Sequence, residues 1–398
     1  MIRNGAFDGP ASQPVGGSSA NISGVEPSIP KPQRGAGGPR PVVLFVAAIA
    51  VTLDTFVVPI AEALHDGGWT TIATADGASQ LAGFDSAVDL PAFRRRGILA
   101  HLKAFRALVR TIRVVKPDVV HLNTPAAVAM GRIAAALARV PSVSVIHGTF
   151  LEPRSWATIP FGVIETLFAR MSKVTVVLNE DDARFYRRVC GKARVLIAPA
   201  GGAGIDFERS DHRPVEDQSR KVALFVGRLA GDKNLDFLVQ AWTTARRACP
   251  DLVLRLVGST LAGDPPWARP DVPGIEFAPW TDDPLSEILG ATIFVSASRR
   301  EGFALTVAEA VVAGVPTVVL ENRGTREIER QAGGAAISVV KCDRTLFATA
   351  MAQAVSESSR SMFRQVLAER WGREATVAFH AAVVGDCFER SSIHRCAS

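Results

Sequence analysis

Tyrosine occurs once in this chain against 20 phenylalanines, and cysteine only five times in 398 residues. Cys190, Cys249, Cys342, Cys387 and Cys396 show no C-x-x-C spacing, which argues against a structural zinc site. The odd count and the length argue against a disulfide framework, so a reducing compartment, the cytoplasm, is the expected setting. No run reaches the ~20 apolar residues that a membrane-spanning helix needs. The longest candidate, 41–53, ends at Asp54 and reads as a first β-strand. The first 39 residues hold glycine, proline, serine and few charges, lack the apolar centre of a signal peptide, and read as a disordered low-complexity tail. The N-terminal half has no G-x-G-x-x-G phosphate loop and is not expected to hold a nucleotide. D-x-D is absent from strand ends. Asp181-Asp182 and Asp282-Asp283 are adjacent pairs that read as a helix cap and a loop, so no metal and no other cofactor is expected. The net charge of +6 favours anionic partners such as nucleotide diphosphates or lipid surfaces. Nucleic acid is not supported, because aromatic and basic residues do not interleave.

What is present is a repeated alternation of apolar strands and helices in a chain too long for one core, hence two α/β domains. Strands are expected at 42–46, 70–74, 117–124, 142–146, 172–178 and 195–197, with a loop at 47–55 and helices at 57–65 and 131–138. Asp54 and Thr55 are expected at the rim of an acceptor surface. The helix over 94–116 carries Ile98, Leu99, Leu102, Phe105, Leu108, Val109 and Ile112 on one face. Arg94, Arg95, Arg96, Lys103, Arg106, Arg110, Arg113 and Lys116 fill the rest. Two readings stand: a core helix with a solvated cationic side, or contact with anionic headgroups or a lipid diphosphate. His147-Gly148-Thr149 follows a strand at its C-terminal edge, where ligands of open α/β sheets bind. Asn179-Glu180-Asp181-Asp182 reads as a helix-capping cluster. The glycine-rich stretch 199–206 reads as a hinge and 207–220 as a linker.

The second half restarts at strand 222–226, followed by Gly227-Arg228 and by Lys233, which opens a helix to about 248. Arg228 can grip two phosphate oxygens at once. The segment 296–310 is the richest. A buried strand, 292–295, leads through a turn at Glu301-Gly302 into a helix that starts at Phe303 and stops at Gly314. The backbone amides of Phe303, Ala304, Leu305 and Thr306 then suit a phosphate. Glu301 and Glu309 bracket that helix start. Carboxylates beside a diphosphate would repel it, so they point to ribose and sugar hydroxyls, with solvated surface glutamates as the alternative.

Glu301 and Glu309, with seven residues between them, resemble the E-x7-E signature of retaining, nucleotide-sugar-dependent glycosyltransferases of family 4. Phe225-Val226-Gly227-Arg228-Leu229 and Lys233-Asn234 resemble that family's diphosphate clamp. The segments from Lys116 to Pro125 and from Ile146 to Thr149, with the Arg323-Gly324-Thr325-Arg326-Glu327 loop, resemble its bacterial surface-polysaccharide members. The likeness runs over roughly residues 40–385.

It implies the GT-B fold: an acceptor domain at 40–206, a nucleotide-sugar domain at 221–360, and terminal helices at 361–398 that cross back to the first. It also implies that a hexose or N-acetylhexosamine moves from a UDP-type donor to a lipid-linked or glycan hydroxyl in exopolysaccharide, capsule or lipopolysaccharide synthesis. The site would comprise His147, Arg228, Lys233 and Glu301 as catalytic residues. Gly302, Phe303, Ala304, Leu305, Thr306 and Glu309 would join Arg228 and Lys233 on the nucleotide, with Thr281 in the loop beside the base. The enzyme would be cytoplasmic, with residues 94–116 able to meet the inner face of the membrane. Two alternatives stay open at this stage: a GT-B nucleotide-sugar epimerase, and a non-catalytic nucleotide-sugar binding protein. Trp280, beside Thr281, reads equally as core packing.

Overall fold

A computed structural model describes residues 39–90, 98–148, 159–190, 194–206, 220–260, 267–333, 337–357, 367 and 370–396. Residues 1–38 of the low-complexity tail, 207–219 of the linker, Arg94–Arg96 and Thr149 lie outside these residues.

Short runs rich in valine, isoleucine and leucine build two wholly parallel sheets, as the α/β alternation requires. The first takes β1 (Val42–Ile49), β2 (Thr70–Asp76), β3 (Ser86–Asp89), β4 (Val119–Leu122), β5 (Ser142–Ile146), β6 (Val174–Val177) and β7 (Arg194–Ile197) in the order β3-β2-β1-β4-β5-β6-β7. The second takes β8 (Val222–Val226), β9 (Val253–Val257), β10 (Ile275–Ala278), β11 (Ile293–Ser296), β12 (Thr317–Leu320) and β13 (Ile337–Val340) in the order β10-β9-β8-β11-β12-β13. In each sheet the order reverses once, between β1 and β4 and between β8 and β11. A crevice opens at such a reversal, beyond the C-terminal ends of the strands. The expected architecture of two α/β domains is therefore the one found, and each is a Rossmann-like parallel sheet.

Several boundaries differ from those expected. The residues read as a loop after β1 continue the strand to Ile49 and then form helix α1 (Ala50–Phe56), because no glycine or proline interrupts the run. Asp54 and Thr55 are exposed on that helix. Helix α2 (Val58–Asp66) follows. In α3 (Ile98–Val115) the buried line is Ala104, Leu108 and Ile112, while Leu99 and Leu102, expected on the apolar face, are 71% and 48% exposed. Helix α4 (Pro125–Ala138) begins six residues before the expected start, since Pro125 suits a first helical turn.

Helices α5 (Ile159–Phe168) and α6 (Glu180–Cys190) complete the first domain's described helices. Here the single tyrosine finds its reason. Tyr186 on α6, 1% exposed, donates its hydroxyl to Glu165 Oε1 on α5 at 2.7 Å, and the same oxygen accepts from the fully buried Arg132 of α4 at 2.5 Å. A phenylalanine there would supply no donor.

The second domain adds α7 (Leu235–Ala245), α8 (Pro284–Leu289), α9 (Leu305–Val312), α10 (Arg323–Ala332) and α11 (Arg344–Ser356). The last helix, α12 (Arg373–Cys396), packs against α2, and Phe388 meets Trp69 edge-on with ring centroids 5.4 Å apart. The segments that enter and leave the second domain run side by side: Ile205 N–H donates to the Trp371 carbonyl at 2.7 Å and Arg373 N–H to the Ile205 carbonyl at 3.1 Å. The apolar core is continuous across this junction. Phe303 is wedged between Trp371, whose ring it meets at 90° and 5.7 Å, and Gly201. At Gly201, with φ of 65°, a Cβ would stand 2.8 Å from the Phe303 side chain, so the hinge glycine is fixed both by its backbone and by its neighbour.

Candidate active site

The strand-order reversal of the second sheet sets Arg228 and Glu301 close together, since the first follows β8 and the second follows β11. Arg228 Nη2 donates to Asp232 Oδ2 at 3.0 Å, within the short turn Gly231–Lys233. Lys233 closes that turn, and its Nζ reaches Glu301 Oε1 at 2.6 Å, with both side chains less than one-fifth exposed. The cations read as a phosphate clamp are thus held ready by carboxylates. Asp232 was not singled out from sequence, although it lies one turn from Arg228.

Helix α9 starts at Leu305, two residues later than the periodicity suggests, because Phe303 is drawn into the interdomain core. The Ala304 carbonyl accepts the amides of Val307 and Ala308. The amides of Leu305 and Thr306 therefore precede the first helical acceptor, and Ala304 and Phe303 stand in the turn before it. Thr306 Oγ1 leans on the Val226 carbonyl at 3.4 Å, tying α9 to the end of β8. Glu309 projects one turn further along, with Oε2 buried. Gly314 ends the helix with φ of 69°.

Across the cleft, His147 and Gly302 meet backbone to backbone. A Cβ on Gly302 would lie 2.0 Å from the His147 carbonyl oxygen, so only glycine permits this approach. The His147 ring packs on Phe56 at 5.2 Å, and its Nε2 is buried with no hydrogen-bond partner among the described residues. Burial lowers the imidazole pKa to about 4, so this ring is neutral near pH 7.

Behind it stand two further buried histidines that sequence reasoning missed. His121 of β4 and His380 of α12 face each other at 5.7 Å. Burial, then His147, lowers the His380 pKa to about 3; burial, then His380 and His147, holds His121 well below 6.5. Their sequence signal is weak, because each sits on a different element.

Thr281 stands in the turn between β10 and α8. Its Oγ1 accepts the Asp283 amide at 3.0 Å in a local turn, and Asp283 caps α8. Trp280 is 54% exposed, which removes the core-packing reading of that residue.

Two expectations change. Asp181 and Asp182 do not cap α6. That role falls to Asn179, whose Oδ1 accepts the Asp182 amide at 2.8 Å. The two aspartates instead pair across the domain junction, Asp182 with Arg323 and Asp181 with Arg326. The segment Arg323–Glu327, read from sequence as a loop, forms the first turns of α10, and its two arginines meet these acids of the first domain. Among the described residues, no group of three histidine, cysteine, aspartate or glutamate side chains could hold a metal ion.

Comparison with known proteins agrees with this architecture. A family model described as glycosyl transferases group 1 matches residues 220–357, and one for the glycosyl transferase 4-like domain matches residues 53–201. The chain is 25% identical over 313 residues to the putative glycosyltransferase EpsD of Bacillus subtilis (strain 168), spanning 72% of this chain and 81% of that one. It is 23% identical over 257 residues to UDP-Gal:alpha-D-GlcNAc-diphosphoundecaprenol alpha-1,3-galactosyltransferase of Escherichia coli, spanning 58% and 65% of the two chains. Anabaena HepE, solved in complex with UDP and glucose, shares the fold with a TM-score of 0.67 at 17% identity, over 87% of this chain and 100% of that one. With one model on each domain, this chain belongs to the group 1 glycosyltransferases and is a GT-B enzyme.

Proposed function

We propose that this glycosyltransferase moves a hexose or N-acetylhexosamine from a uridine diphosphate donor to a hydroxyl of a lipid-linked or glycan acceptor, with retention of anomeric configuration. The observation that carries the reading is the meeting of His147 with Glu301-Gly302, beside the cationic turn Arg228–Lys233 and the start of α9. In this scheme the amides from Phe303 to Thr306, with Arg228 and Lys233, bind the diphosphate and take up the charge that builds as the sugar leaves. Glu309 accepts from the ribose, and Glu301 from the sugar hydroxyls. The loop holding Thr281 lies toward the base. His147, neutral and drawn from the opposite domain, can donate or accept one hydrogen bond at the sugar. No side chain serves as a covalent nucleophile. The leaving phosphate helps to deprotonate the acceptor on the same face. Closure of the domains excludes water that would hydrolyse the donor.

The solved HepE complexes hold UDP and glucose, and the galactosyltransferase relative is named for a diphosphoundecaprenol acceptor; both favour this donor and acceptor class. We further propose that α3 meets an anionic membrane where such an acceptor resides, from the cytoplasmic side. Among the described residues no helix is long and apolar enough to cross a membrane.

The test is a thermal-shift panel of nucleotide sugars, followed by transfer to a diphospholipid-linked acceptor in the presence of a chelator. A true donor at ~100 times its dissociation constant stabilises by ~2.7 kcal/mol. No shift with any UDP-sugar refutes the donor, and activity restored only by added magnesium or manganese refutes the metal-free scheme.

A further inference from the structure

Asn179 stands where β6 hands over to α6, and it is 1% exposed. Its Oδ1 faces the helix, because the Asp182 amide needs an acceptor there. The side-chain nitrogen is therefore turned the other way, toward the second domain. Nδ2 donates to the Gly302 carbonyl at 2.9 Å and to Asp182 Oδ2 at 3.0 Å. Asp182 is fully buried, and its other oxygen accepts from Arg323 at the start of α10. One residue on, the Gly324 amide donates to the Glu301 carbonyl at 3.1 Å.

These bonds form a closed circuit around one dipeptide. The Glu301 carbonyl is held by its own domain and the Gly302 carbonyl by the opposite one. Fixing both peptide planes fixes the backbone torsions of Gly302, and with them the peptide plane on the C-terminal side of Glu301 from which its side chain is aimed. Two of the bonds, Asn179 to Gly302 and Asp182 to Arg323, cross the domain junction, so they break together if the domains part. Removing Arg323 while the domains stay closed would leave a buried carboxylate short of a charged partner, which is costly. The outer pair, Asp181 with Arg326, is more exposed and contributes less.

We propose that Asn179 is a positioning residue for Glu301. It acts from the acceptor domain through the Gly302 carbonyl and is held in register by Asp182 and Arg323. This rests on the reading that Glu301 binds the donor sugar. It makes the sugar-binding carboxylate correctly aimed only when the domains are closed.

The experiment uses the full chain with a diphospholipid-linked acceptor whose hydroxyl takes up the sugar, and UDP-glucose, UDP-galactose or UDP-N-acetylglucosamine as donor, taking the one from which UDP is released fastest. Asn179→Ser keeps a capping oxygen but cannot reach Gly302; Asn179→Thr is the second choice if the serine variant fails to fold. We expect UDP release to slow about 10-fold or more, the cost of one lost hydrogen bond in positioning, while the affinity for UDP alone stays within about twofold. In a Glu301→Ala background, Asn179→Ser should then slow UDP release by less than about twofold, the mark of two residues acting as one unit. Unchanged rates in Asn179→Ser, or losses that simply multiply in the double variant, overturn the proposal. A Glu301→Ala enzyme as fast as the parent overturns the underlying assignment of Glu301 instead, and with it the proposal.

Discussion

Lys233 and Glu301 are bonded to each other at 2.6 Å, although one is read as a phosphate ligand and the other as a sugar ligand. The pairing makes the two tasks dependent. A diphosphate that draws Lys233 toward itself releases a carboxylate oxygen, and a sugar hydroxyl is the group that then supplies a donor to it. Arg228 is shared with Asp232 in the same way. We expect Arg228→Ala, Lys233→Ala and Glu309→Ala each to lower kcat/KM about 10- to 100-fold, the ~1.5–3 kcal/mol of a charge-assisted hydrogen bond, with little change in unfolding temperature. Turnover near the parent's in any of them would refute the role assigned to that residue.

The three buried histidines make stability depend on acid. His147 and His380 have pKa values of about 4 and about 3 in the fold, and His121 lies well below its ordinary 6.5. In the unfolded chain each returns to 6.5 and takes up a proton that the folded chain refuses. Their neutral burial thus costs nothing above pH 6.5. Below it, stability falls, until the pH reaches the folded values. Each such group contributes up to about 1.4 kcal/mol per pH unit in that window. Urea unfolding measured from pH 7 to pH 5 should show this slope, and His380→Phe should remove roughly one proton from it. An unchanged slope in that variant would show that His380 is not held neutral.

The fold was legible because its signals are local. Most strands read as short runs rich in apolar, often β-branched residues, and the turn before α9 announces itself through Gly302 and the two glutamates. What escaped was the set of contacts between domains. Asn179 and Gly302 are 123 residues apart, and Asp182 and Arg323 are 141 apart. Nothing near Asp182 distinguishes an aspartate that caps its helix from one that pairs with a distant arginine. The start of α9 moved for the same reason: Phe303 looks like a helical residue until Trp371 and Gly201 are seen to hold it. The pair of His121 and His380 was hidden because β4 and α12, far apart in sequence, each contribute one ring.

Helix α3 offers a separate test. Lys103, Arg106, Arg110 and Arg113 are exposed beside Leu99 and Val114, which are 71% and 73% exposed. Cations flanking exposed aliphatic side chains suit an anionic bilayer, with each basic residue worth about 1 kcal/mol at its surface. Flotation with vesicles rich in phosphatidylglycerol should recover the enzyme at low salt and less of it at high salt. Replacing Arg106, Arg110 and Arg113 together by alanine should weaken partitioning about 100-fold, or ~3 kcal/mol. Equal recovery with neutral vesicles would remove the electrostatic reading.

Tyr186 yields the clearest stability prediction, because its surroundings are fully specified. Glu165 lies inside the first domain between two donors, the Tyr186 hydroxyl at 2.7 Å and Arg132 Nη1 at 2.5 Å. Arg132 is further held by Ser144 and Ser172, at 3.1 and 3.0 Å from its Nε. Burial and then the Glu165 charge push the tyrosine pKa up, so the hydroxyl keeps its proton and acts as a donor. Tyr186→Phe removes that donor and leaves the ion pair, so the loss should be about 1–3 kcal/mol. Arg132→Met removes the cation and strands a buried carboxylate, so the loss should be larger, about 3–5 kcal/mol. Urea titration of the two variants should return that order. UDP release per folded molecule should be unchanged in Tyr186→Phe, because the triad packs behind β5 and β6 rather than in the cleft. A larger loss in Tyr186→Phe than in Arg132→Met would mean that the phenol, rather than the guanidinium, is what makes the buried carboxylate tolerable.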